Sequence, residues 1–172
     1  MWGAEVMPWQ LSWRADPVAN RVAKRHYNSQ SPDSRQWVKP GACLCFRTVE
    51  GGAIWSTSAP IAEYVQHAWA GAWENSTFRN ERRDLYLSSD LIRSGIAATL
   101  WFWPDPPPLG MVTMVDANKT RPKRDPGRCY RRAGFEHVGY TESGLWVLQL
   151  PPDEFPQPDM PVGASMPMEL AV

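Results

Sequence analysis

Three groups of polar side chains stand at segment ends, where they could move protons or hold a ligand. His26 and Tyr27 close a helical stretch beside a polar loop; a histidine titrating near neutrality can take a proton from a substrate or grip it. The plainer alternative is a helix-terminal cation that satisfies carbonyls. Asn80 and Glu81 follow a strand-like run, at the end of the sheet where open α/β proteins place ligands. An Asn amide can pair bidentately with an adenine edge, and a Glu can accept a proton from an amine; a solvated turn would use the same residues. Asp116 ends another short apolar run, followed by Asn118 and Lys119. Its carboxylate could orient or deprotonate an amine, or cap the turn after a strand.

The segment RPKRDPGRCYRRAGF, residues 121–135, adds an electrostatic feature. From Lys119 to Arg132 there are seven Lys or Arg and one acid, Asp125, a local charge of +6. The whole chain has 18 basic and 18 acidic residues, so everything outside that window sums to −6. Such asymmetry suits a polyanionic partner. Lys119, Arg121, Lys123 and Arg124 fall in a stretch interrupted by Pro122 and Pro126, too polar for a core, and could straddle phosphates without reading sequence.

The elements that must position these groups can be read from periodicity. Residues 6–15 alternate as a first strand; Asp16-Pro17 supplies an N-cap and an N1 proline for a helix with Val18, Ala19, Val22 and Tyr27 inward. Residues 42–49 and 53–58 form a hairpin about Glu50-Gly51-Gly52. Residues 61–69 read as a helical turn or two, and AWENSTFRNE as a strand. A helix follows over 89–101, capped by Ser88 or Ser89, then a strand over 110–115. A short helix over 128–133 stops at Gly134, and strands over 137–141 and 145–150 flank Glu142-Ser143-Gly144. The last 22 residues hold six prolines and four acids with no Lys or Arg, and are expected to form a flexible or loosely draped tail.

The order β-α-(loop or helix)-β-β-β-α-β-α-β-β implies an α/β (α+β) domain over residues 1–150 with a mixed, centrally parallel sheet flanked by helices, and a tail over 151–172. The composition, 43% hydrophobic and 21% charged, fits a soluble globular protein. No run approaches a membrane span and the start lacks a secretion signal, so the cytoplasm is the expected location, with no membrane partner. Cys43, Cys45 and Cys129 read as reduced, and three irregularly spaced His give no zinc pattern. Ten Trp are mostly core plugs on this reading, with base stacking as the alternative.

The element order, with GRCYRRAGFEHVGYT, resembles the GNAT superfamily of N-acetyltransferases. RHYNSQ, FRNE, SSDLIRSG, TMVDANK and GRCYRRAGF together resemble the Mom-like family of phage and prophage DNA-modification proteins, over roughly residues 16–150. That resemblance implies transfer of a small acyl-derived group to the exocyclic amine of adenine in DNA, within a bacterial host. It implies that Tyr130 protonates a leaving group, the alternative being a packed helix aromatic. The residues leave the cofactor unknown; acetyl-CoA or another acyl donor is compatible with the resemblance, with Ser88, Ser89 and Arg128 as candidate holders. The glycine-rich turn that cradles a pyrophosphate is missing, however: RNERRDLYLSSDLIRSG has no glycine before the helix, and Asp84 and Asp90 would oppose a phosphate. Two other functions fit the residues: an acetyl-CoA-dependent N-acetyltransferase of a small amine or a protein, and a non-catalytic nucleic-acid-binding module. A homodimer is compatible with each.

Overall fold

The computed structural model describes residues 6–26, 33–60, 65, 67–119 and 125–165. Its elements run β1 (Trp9–Leu11), α1 (Pro17–Lys24), β2 (Cys43–Thr48), β3 (Ala53–Ser58), β4 (Trp73–Asn80), α2 (Ser88–Phe102), β5 (Met111–Val115), α3 (Arg128–Arg132), β6 (Glu136–Tyr140) and β7 (Trp146–Leu150). This is the order expected from the sequence. The strands form one seven-stranded sheet, β1-β2-β3-β4-β5-β7-β6, in which every neighbouring pair is antiparallel except β4 and β5.

Side-chain alternation along β3 assigns the two faces. Ala53 and Trp55 join the larger core with Leu91, Ile92 and Ile96 of α2 and with Tyr130 and Phe135. Ile54 points the other way, into a smaller cluster with Ala19, Val22 and Ala23 of α1 and with Trp37 and Val38. Four Trp, at 9, 37, 55 and 73, are buried, so these are core.

Helix α1 begins as its sequence dictates. Asp16 accepts from Val18 N–H at 2.9 Å with Pro17 following, and its other oxygen takes Arg47 Nε at 2.7 Å. Burial works to raise the Asp16 pKa, but hydrogen bonds from Ser12 and Arg47 outweigh it and leave the carboxyl below its ordinary value. Val18 is only half-buried; Ala19, Val22 and Ala23 make the inner face. The expected inward Tyr27 lies outside the described residues, as do residues 61–64 and 66 of the expected helical turn.

Three expectations need correction. The first strand is three residues long rather than ten, because the chain turns at Arg14–Ala15, closed by Asp16 N–H on the Trp13 carbonyl, and so presents Asp16 to Ser12, Val18 and Arg47. Neither Ser88 nor Ser89 caps α2: Leu87 is the N-cap and no side chain bonds there. Residues 151–165 are also not loose. Phe155 stacks on Trp73 at 6.0 Å, Asp159 N–H bonds to the Ala97 carbonyl at 3.1 Å, and Val162 pairs with β1 through two 2.9 Å backbone hydrogen bonds. Apolar residues spaced among the prolines supply the anchors that composition averages hide.

Candidate functional site

At the centre of the sheet the single parallel pair comes apart. β4 and β5 share only the registers Trp73↔Met111 and Glu74↔Val112, although β4 continues to Asn80 and β5 to Val115. At the same level β4 is bulged: the register against β3 shifts between Ser56 and Thr57, leaving Ser76 as the extra residue. Ser76 Oγ meets Ser56 Oγ at 2.8 Å and Ser58 Oγ at 3.1 Å. One link spans the divergence, from Thr113 Oγ1 to the Asn75 carbonyl at 3.1 Å.

Asn75 is the pivot, 3% exposed. Its amide nitrogen donates to the carbonyls of Ser56 and Thr77, and its oxygen accepts from the Tyr130 hydroxyl. Tyr130 reaches this point from α3, gripped edge-on by Phe78 at 6.1 Å and Phe135 at 5.4 Å. A cavity of about 550 Å³ opens from the same bulge on the α1 side. Its walls include His26, His67, Glu74, Asn75, Met114 and Thr141. His67 Nδ1 accepts the Trp69 N–H at 3.1 Å, so in the neutral ring the proton sits on Nε2, which is a donor.

Of the residues singled out in the sequence, the structure brings His26 to the cavity wall and Tyr130 to the other side of Asn75. Others have structural partners. Asn80 spends both amide hydrogens on the Tyr86 carbonyl (3.0 Å) and Ser88 Oγ (3.1 Å), and its oxygen accepts from Arg82 N–H, so the edge that would pair with adenine is occupied. Glu81 sits between Arg25 (2.8 Å) and Arg79 (2.9 Å). Hydrogen bonds from Arg25, opposed by burial and aided by Arg79, hold its carboxyl at about 2, which makes it a poor proton acceptor at neutral pH. Asp116 Oδ1 accepts from Asn118 and Lys119 N–H at 3.0 and 3.2 Å, the turn-capping alternative. Ser89 is buried, while Lys119 and Arg128 are exposed. Tyr27, Arg121, Lys123 and Arg124 lie outside the described residues.

The Glu81 latch ties the end of α1 to β4 and should show in acid. Because its folded pKa is depressed, its stabilisation is fully present above the ordinary Glu value near 4.5 and is lost as pH falls through about 2. Discounted for the half-exposed Arg25, removing the pair by Glu81→Gln should lower stability at pH 7 by about 1 kcal/mol and narrow the wild-type advantage below pH 4. Urea titrations at both pH values check this; an equal difference at the two would contradict it.

Sequence reading missed His67, Glu74 and Asn75. The signal present was the polar run Glu74-Asn75-Ser76-Thr77 inside a strand of a central sheet, where Asn is disfavoured unless its side chain has specific partners.

The connection from β4 to α2 does not fit a nucleotide pyrophosphate. Asn80 cross-links it, Arg82 pairs with Asp84, Tyr86 donates to Glu50, and Asp90 occupies the first turn of α2. No glycine occurs from residue 81 to 94 to let a phosphate approach backbone N–H groups. Among the described residues no helix is long and apolar enough to cross a membrane. Comparison with protein-family models, curated proteins and solved structures found no match to this chain.

Proposed function

We propose that this chain is a GNAT-like group-transfer enzyme of the Mom-like type, which adds a small acyl-derived group to the exocyclic amine of adenine in DNA. The observation that carries the reading is the Tyr130–Asn75 pair set in the divergence of β4 and β5, with a cavity opening from the same bulge. A volume of about 550 Å³ accommodates a purine with a small donor beside it. The DNA and adenine parts rest on the sequence resemblance and on the basic segment.

In this reaction the amine nitrogen attacks the donor's carbonyl carbon and the bond from that carbon to the leaving group breaks, its electron pair departing with the leaving group. One proton leaves the amine and one joins the leaving group. His26, on the cavity wall, receives the first; the Tyr130 hydroxyl, which lies behind Asn75 and not on the cavity wall, supplies the second by turning from Asn75 toward the leaving group. His67 donates toward charge developing on the substrate. The adenine must leave its stack, since its amine is out of reach of such a cavity inside a duplex.

No step is assigned to acetyl-CoA, because the β4–α2 connection lacks a cradle for it. Micromolar binding of acetyl-CoA in calorimetry would instead promote an ordinary N-acetyltransferase. A DNA-binding module without chemistry is favoured by one observation, the structural engagement of Asn80, Glu81 and Asp116. Nucleoside mass spectrometry on DNA from cells making the protein separates these readings: the enzyme replaces part of the deoxyadenosine with a heavier nucleoside, and the module leaves it unchanged.

A further inference from the structure

The β6–β7 hairpin carries an exposed aromatic group on the face opposite the cavity. Tyr140 lies directly across from Trp146, and His137 stands on the same side one step along. The His137 and Trp146 rings are stacked, with centroids 4.6 Å apart and planes 8° from parallel, while Tyr140 meets His137 edge-on at 4.9 Å. Tyr140 is 61% exposed and His137 is exposed as well. Trp146 packs at the border of the large core, which fixes this side as that of α2 and α3, and Gly139 faces the other way against Trp69. The next residues of the hairpin, Thr141 and Leu145, are joined by two hydrogen bonds and line the cavity. The hairpin therefore has the cavity at one face and the rings on the other.

A basic helix starts next to this part of the sheet. Gly127 packs over Val115 and Leu148, whose partners across the sheet are Trp146 and His137, so α3 starts beside the stack. Arg128 and Arg132, one helical turn apart, are both exposed. The acid of β6, Glu136, shares its register with Gln149 and so lies on the opposite face. Open rings near a basic helix, in a segment of local charge +6, match one ligand chemistry: flat heterocycles joined by phosphates.

We infer that His137, Tyr140 and Trp146 form a stacking platform for an unpaired nucleotide of DNA, with Arg128 and Arg132 on its phosphates. The inference rests on the proposed reaction for the choice of DNA, and supplies what that reaction needs. A base extruded into the cavity leaves its neighbour unstacked, and a platform on the other face of the same hairpin gives that neighbour a partner.

Fluorescence anisotropy with a labelled single-stranded oligodeoxynucleotide, the matching duplex and the matching RNA tests this on the full chain. Tyr140→Ala should weaken single-strand binding roughly 5- to 150-fold without shifting the thermal transition, whereas Tyr140→Phe, which keeps the ring, should bind like wild type. Arg128→Ala should weaken binding and reduce the salt slope by about 0.7 on single strands. Wild-type affinity in Tyr140→Ala would overturn the platform, and so would tighter binding of the RNA than of the DNA. The two proposals fail separately. An adduct formed in cells at full yield by Tyr140→Ala would remove the platform and leave the transfer; predicted binding with no adduct in wild type would do the reverse.

Discussion

Tyr130→Phe is expected to lower the yield of modified adenine by 10²- to 10⁴-fold, the contribution of a positioned general acid. The ring and its edge-on contacts to Phe78 and Phe135 survive the change. What disappears is the proton donor, and with it the hydrogen bond that Asn75 Oδ1 accepts from it. Stability should fall by about 1–3 kcal/mol, because a buried amide oxygen is left without that donor. The check is adduct yield per mole of folded protein, with urea denaturation alongside. A folded Tyr130→Phe protein that modifies DNA as well as wild type would return Tyr130 to the role of a packed aromatic.

The largest expected loss of stability comes from Trp55→Ala. This ring is fully buried between Trp9, at 6.5 Å, and Phe78, at 5.8 Å, and Phe78 in turn braces Tyr130. Its indole N–H bonds to Thr57 Oγ1 at 2.8 Å, which meets Thr99 Oγ1, which donates to the Gly95 carbonyl inside α2. Gly95 is shaped to this ring: a Cβ there would stand 2.6 Å from it. Truncation removes the packing and leaves a cavity, a loss of about 3–5 kcal/mol. A midpoint shift in guanidinium equivalent to less than 1 kcal/mol would contradict the packing described for this core.

Much of this framework was legible from local chemistry. Asp16-Pro17 marks the start of α1, Glu50-Gly51-Gly52 marks a hairpin, and Gly134 ends α3 with a φ of +107° that glycine accepts readily. Each signal acts within a few residues. The misreadings involve distant partners. Asn80 looked available because Tyr86 and Ser88 fold back onto it only when the β4–α2 turn forms. Glu81 looked like a base because Arg25 arrives from another element, 56 positions away. The terminal segment looked loose because composition does not reveal that Phe155 meets Trp73. Asn75 and His67 escaped notice because a bulge and a diverging strand pair, neither written in periodicity, are what place them at a cavity.

The most direct test of group transfer to adenine is mass spectrometry of nucleosides digested from the DNA of cells making either wild type or Tyr130→Phe, with both proteins shown to be folded. Transfer predicts a new nucleoside in the wild-type sample, its added mass retained on the base after loss of deoxyribose, with a matching fall in deoxyadenosine. The Tyr130→Phe sample should contain little of it. Unmodified deoxyadenosine in cells containing abundant folded wild-type protein would contradict the account.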